Sequence, residues 1–245
     1  MKDWHGKRYW LVGASEGLGR EVAFSLSRAG AEVIVSARSQ ERLKELVAEL
    51  PGKASYVTVD VTDRAGVEAA AKDIGDIDGV VYLAGVYWPM SVHEWDSEKA
   101  ELMGEVNFLG ATRVVGSVIK GMLAKNAGHI VIVGSLSGFR GMAGAFAYCS
   151  GKAGMMSMAE SIQADLHKTP INVQLINPGY IKTRLTDMND FAMPFLMAPE
   201  DAAKEVFEHM NTTRFKKSFP FLFSLLFRAT QFMPDWLFYR IFGAR

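Results

Sequence analysis

The stretch YWLVGASEGLG, Tyr9 to Gly19, decides the fold. Its first half is an apolar run ending at Gly13, the pattern of a buried strand. Glycines recur at 17 and 19, and a helical pattern continues from about Leu18 to Arg28. A backbone that approaches a phosphate closely must be free of Cβ atoms, and the start of the next helix offers unpaired N–H groups to an anion. A plain tight turn is the other reading of these glycines. Their place between a strand and a helix favours the phosphate-binding one.

Working outward, the same alternation repeats. AEVIVSA (31–37), SYVTVDV (55–61), GVVYLAG (79–85), HIVIVGS (129–135) and INVQLIN (171–177) read as further strands. Helical patterns fill the gaps at about 40–50, up to Ile74, 97–125 and 147–168. Strands alternating with helices predict right-handed crossovers and a parallel sheet covered on both faces. The expected fold is therefore α/β, a doubly wound, Rossmann-like parallel sheet in three α/β/α layers. No linker or repeat interrupts it, so residues 1–245 read as one domain. A short aromatic helical extension closes the chain.

Nearly half of the 245 residues are apolar, enough for a large core, and the formal net charge is zero, which argues against a dedicated nucleic-acid binder. The single cysteine, Cys149, excludes an internal disulfide and fits a reducing compartment. The five histidines are scattered, with no metal-ligand spacing, so no metal is expected. The N-terminus lacks the apolar stretch of a secretory signal, and no uncharged run is long enough to span a membrane. A cytoplasmic protein is expected.

In such sheets ligands bind beyond the carboxyl ends of the strands. The first strand ends in the glycine turn, where Gly13, Ser15, Glu16, Gly17, Leu18 and Gly19 are candidate contacts to a dinucleotide. The second ends at Arg38, where an NAD site usually carries an acid for the ribose hydroxyl. A guanidinium there suits a 2′-phosphate, with help from Ser15, although Glu16 is a negative neighbour. A solvated surface arginine is the alternative. The third strand ends in Asp60-Val61; Asp60 suits an adenine amine or a helix cap. The fourth ends in Ala84-Gly85, small enough for a cofactor to lie close. The fifth ends at Ser135, and the sixth runs into Pro178, Gly179, Ile181 and Thr183. Finally, FAYCSGKAG (146–154) places Tyr148 and Lys152 four apart, on one helix face.

These parts together resemble the short-chain dehydrogenase/reductase family, over about Lys7 to Thr183. The match rests on GASEGLG, Asp60, Ala84-Gly85, Asn107, Ser135, Tyr148 with Lys152, and the Pro178-Gly179 turn with Thr183. The resemblance implies hydride transfer between NADP(H) and a carbonyl or secondary alcohol, with NAD(H) as the other possible cofactor. It assigns Tyr148 as general acid, Lys152 as the ammonium that lowers the phenol pKa and binds the nicotinamide ribose, and Ser135 as the holder of the substrate oxygen. It gives Asn107 a water for proton relay from Lys152, and Thr183 the carboxamide end of the cofactor. The chain departs from the family at Leu83, where an asparagine is common, and in its long aromatic tail. A non-catalytic NADP(H)-binding sensor on the same fold would have no reason to keep the acid. Sugar-nucleotide epimerases usually add a separate substrate domain that is missing here.

Substrate contacts are expected from residues 86–92, 136–142 and 180–199. The last segment is rich in Met and Phe and reads either as a lid over a lipophilic pocket or as cover for the core. The resemblance also implies a homodimer through the helices carrying Asn107 and Tyr148. Over residues 214–245 the chain holds six Lys/Arg against one Asp, and Phe215 begins a run containing 8 of its 15 phenylalanines. Pro220 and Pro234 suit the starts of two short helices. These helices either pack on the body of the protein or its dimer mate, or lie in an anionic membrane surface as a peripheral contact.

Overall fold

Strands buried on both faces need mostly apolar side chains, and four runs supply them. In the computed structural model, which describes residues 2–243, these runs are β1 (Arg8–Val12), β2 (Glu32–Ala37), β4 (Gly79–Tyr82) and β5 (His129–Val133). With β3 (Ala54–Thr58), β6 (Asn172–Pro178) and β7 (Lys216–Phe219) they form one parallel sheet in the order β3-β2-β1-β4-β5-β6-β7. The order reverses between β1 and β4, which opens a crevice at the carboxyl ends of those two strands.

The helices divide between the two faces. On one, α1 (Gly17–Arg28), α2 (Gln40–Glu49) and α7 (Pro199–Met210) cover a core that includes Leu11, Val33, Leu43 and Val206. On the other, α3 (Arg64–Ile74), α5 (Gly110–Ala124) and α6 (Phe146–Leu166) cover one that includes Trp10, Val80, Ile130 and Met155. The chain ends in α8 (Phe221–Thr230) and α9 (Asp235–Phe242), which start directly after Pro220 and Pro234 as the sequence predicts. Residues 1, 244 and 245 of the expected domain and extension lie outside the described residues.

Three features differ from the sequence expectation. The helix expected at 97–125 is broken into α4 (Ser97–Gly104), a π turn (Glu105–Leu109) and α5. α7 begins with Pro199 and carries Glu200 and Asp201 in its first turn, good start signals in a stretch the strand–helix alternation leaves unassigned. The seventh strand, KKSF, lies inside what reads as the tail. As an edge strand its lysines point to opposite faces, Lys216 pairing with Glu160 of α6 and Lys217 with Glu205 of α7 at 2.6 Å.

At the amino end of the sheet, away from the crevice, a polar network is buried. Gln174 donates to the carbonyls of His209, Thr212 and Arg214 at 2.9–3.2 Å, so its oxygen faces His129 Nε2 at 2.9 Å. That assigns the imidazole proton to Nε2. The single lone pair of His129 Nδ1 is then shared between two donors, Tyr9 Oη at 2.9 Å and Lys2 Nζ at 2.8 Å. Burial holds His129 far below the usual histidine range, at about 3, and lowers Lys2 to about 8.

Candidate active site

The crevice is a cleft of about 860 Å³. Every residue named above as a cofactor contact lines it, as do Ser135, Tyr148 and Lys152. The glycines serve the protein before any ligand. A Cβ on Gly13, whose φ is +92°, would overlap the Ala84 backbone, and one on Gly19 would overlap the Gly13 carbonyl. Gly17, at φ +53°, faces the Thr183 methyl, where a Cβ would come within 2.8 Å. The turn is thus pressed between β4 and the 183–186 segment, which fixes where its N–H groups point.

Two charges flank this turn differently. Glu16, expected to oppose an anionic ligand, is already neutralised by Arg42 and Arg184, each at 2.6 Å. Arg38 is exposed, lines the cleft and has no ion-pair partner among the described residues. Asp60 Oδ1 accepts from both the amide and the hydroxyl of Thr62, at 2.9 and 2.8 Å. It therefore caps a local turn, while Asp63 stands at the N-terminus of α3. Leu83, in place of an asparagine, packs against the apolar core on the α1 side.

At the other end of the cleft, Ser135 follows β5, and its Oγ accepts from the Ser137 amide at 3.1 Å. Tyr148 and Lys152 come from the first turns of α6. Burial pushes the Tyr148 phenol up to about 12, and the Ser135 hydroxyl acts on it in the opposite direction. Lys152 is buried; its Nζ donates to the Val133 carbonyl at 3.1 Å and lies 5.8 Å from the Tyr148 ring centre. Burial lowers Lys152 to about 8. In this arrangement the ammonium of Lys152 hydrogen-bonds Val133 and stands beside the Tyr148 ring.

Asn107 lies one layer behind these groups. It sits in the π turn, fully buried and outside the cleft lining, and both ends of its amide are used on one residue. Oδ1 accepts from the Val86 amide at 3.0 Å and Nδ2 donates to the Val86 carbonyl at 2.8 Å. The pair of bonds ties the π turn to the backbone just beyond Gly85, where a Cβ would stand 3.2 Å from Asn107 Oδ1.

The expected substrate loops surround Tyr148. The Tyr87 ring meets the Tyr148 ring edge-on at 5.0 Å. Segment 180–199 is tied at its base, where Lys182 and Met197 exchange backbone hydrogen bonds with Met197 and Tyr180 at 2.9 and 3.0 Å. Its Phe191 packs on Tyr180, and its Phe195 on Phe223 of α8. Phe223 in turn reaches the Pro178-Gly179 turn, 3.2 Å from where a Gly179 Cβ would lie. Arg140 carries no sequence signal, yet it joins the loop after Ser135 to the extension. It donates to the carbonyls of Thr230 and Met233, pairs with Asp235, and lies over the Phe238 ring at 3.9 Å.

A glycine turn on a doubly wound sheet, with a tyrosine, a buried lysine and a serine at the far end of the same cleft, defines a pyridine-nucleotide oxidoreductase. The family model described as short chain dehydrogenase matches residues 7–192, and the chain belongs to that family. It is 34% identical over 237 residues, 93% of each chain, to an uncharacterised oxidoreductase of Myxococcus xanthus. It is 30% identical over 185 residues to a 3-oxoacyl-(acyl-carrier-protein) reductase of Salmonella typhimurium, covering 74% of this chain and 76% of that one. A solved structure of actinorhodin polyketide ketoreductase with NADPH superposes with a TM-score of 0.79 at 25% identity, covering 89% of this chain and 97% of that one. The protein is an NAD(P)-dependent dehydrogenase/reductase.

Proposed function

We propose that the enzyme transfers hydride between NADP(H) and a lipophilic carbonyl compound or its secondary alcohol. The observation that carries this reading is the convergence of Ser135, Tyr148 and Lys152 at one end of a cleft whose other end holds the exposed Arg38. The residues fit the cofactor: the glycine turn offers helix N–H groups to a pyrophosphate, and Arg38 offers a guanidinium to a 2′-phosphate. When bound, the reduced nicotinamide supplies the hydride, which goes to the carbonyl carbon. Tyr148 gives its proton to the carbonyl oxygen, Ser135 donates to the same oxygen, and Lys152 compensates the phenolate that forms. The ketoreductase and oxoacyl reductase relatives support a keto substrate. The apolar side chains of 180–199 support a lipophilic one, with this segment acting as a lid.

A panel of ketones of rising chain length, followed by NADPH absorbance, tests the reading. Turnover is expected to improve with chain length. Tyr148→Phe is expected to bind NADPH normally and lose about 10²–10⁴-fold in rate. Wild-type rates in Tyr148→Phe would overturn it. A homodimer through α4, α5 and α6 belongs to the same proposal, and a monomer in analytical ultracentrifugation would remove that part.

A further inference from the structure

Helix α8 is built inside out. A surface helix normally turns its apolar stripe to the core. In α8 the buried side carries Phe223, Ser224 and Thr230, and both hydroxyls donate to carbonyls of their own helix. The open side carries Leu222, Leu225, Leu226 and Ala229, spaced i, i+3, i+4 and i+7. Phe221 and Leu222 are 69% and 71% exposed. α9 repeats the arrangement: Phe238 is buried, Trp236 and Tyr239 are exposed, and Phe232 just before the helix is 87% exposed. Arg140 holds both helices, through the Thr230 carbonyl and Asp235. Arg228 and Arg240 are exposed and have no ion-pair partner among the described residues. Asp235, the one acid after Glu208, is already paired with Arg140.

We propose that the open faces of α8 and α9 dock on an anionic phospholipid bilayer, with Phe221, Leu222, Leu226, Phe232 and Trp236 inserted and Arg228 and Arg240 at the headgroups. No helix among the described residues is long and apolar enough to cross a membrane, so the helices lie in the interface. Charge selects this occupant. A symmetric contact with a second copy sets this face against itself, and the one acid on it, Asp235, is already held by Arg140, so no free acid meets Arg228 and Arg240. An anionic bilayer satisfies the arginines and the apolar side chains together. The lid borders this surface, since Phe195 and Tyr180 pack on Phe223 from the inner side of α8. A substrate dissolved in the bilayer then has a short path to the cleft.

The test uses the full chain and extruded vesicles of phosphatidylcholine, with and without phosphatidylglycerol, in a flotation assay. Binding is expected on the mixed vesicles, weaker on phosphatidylcholine alone, and reduced by salt. A basic residue near such a surface is worth roughly fivefold in partitioning, so Arg228→Gln with Arg240→Gln is expected to lower binding by about 30-fold. Leu226→Ser with Trp236→Ser is expected to abolish it. All these side chains are exposed, so NADPH binding and melting temperature should stay unchanged, which separates lost docking from lost folding. No binding by the wild type at low salt would overturn the proposal. So would wild-type binding in both double variants, or a lipid-free dimer that the Leu226/Trp236 variant dissociates, which would give the face to a second copy.

Discussion

Arg38 stands at the end of β2, where the proposed function has its charge read the 2′-phosphate. A charge-assisted contact contributes about 1.5–3 kcal/mol, so Arg38→Ala is expected to raise the KM for NADPH tenfold or more and to leave that for NADH nearly unchanged. Equal effects on both would show that the guanidinium does not read the 2′-phosphate. Lys152 makes a second prediction at this scale. Burial brings it to about 8, so its charge is present below that pH and lost above it. The kcat/KM for NADPH, which reports the free enzyme, is expected to fall as pH rises through about 8, and Lys152→Arg to move that limb upward. A profile flat through that pH would contradict the assignment. Ser135, Tyr148 and Lys152 were legible because helix spacing and strand ends are written in the chain. The contacts of Asn107 were not legible. Its paired hydrogen bonds to Val86 depend on a π turn, and nothing in EVNFL announces one.

At the scale of elements, the loop after β5 and the paired helices α8 and α9 behave as one unit through Arg140. Removing this side chain leaves the Thr230 and Met233 carbonyls and the Asp235 carboxylate without their donor. Arg140→Ala is expected to cost about 1.5–3 kcal/mol of stability and to expose the chain after β7 to limited proteolysis. A variant as protease-resistant as the wild type would show that α8 and α9 are held by apolar packing alone. The central strands were readable from composition because burial on both faces leaves room for little besides Val, Ile and aromatics. β7 was not, since an edge strand with Lys216 and Lys217 on alternate faces has the composition of a loop. The helices after Pro220 and Pro234 were readable, but not the direction of their apolar faces. Periodicity gives the stripe and is silent about which side the core lies on.

For the molecule as a whole, acid is the expected weak point, and it acts far from the cleft. His129 is neutral in the fold, with a pKa near 3 against 6.5 when unfolded. Between those values the unfolded chain binds a proton that the native one does not. The contribution of His129 is therefore full above about 6.5 and falls with pH below it, by about 1.4 kcal/mol per pH unit for one such group. His209, also buried and lowered, adds in the same direction. Urea midpoints measured down to pH 5 are expected to show this slope, and His129→Gln to flatten it; an unchanged slope would locate the acid sensitivity elsewhere. Strand order has a consequence of another kind. The cleft residues from Gly13 to Val61, which the proposal gives to the adenosine half, belong to β1–β3 and their loops, while those it gives to the reacting half follow β4 to β6. The halves meet along the β1–β4 pair, where Gly13 rests on the Ala84 backbone. On the proposed function, nucleotide choice and substrate choice fall in separate stretches of the chain, divided at α3. A chimera that crosses over within that helix would inherit its coenzyme from one parent and its substrate from the other.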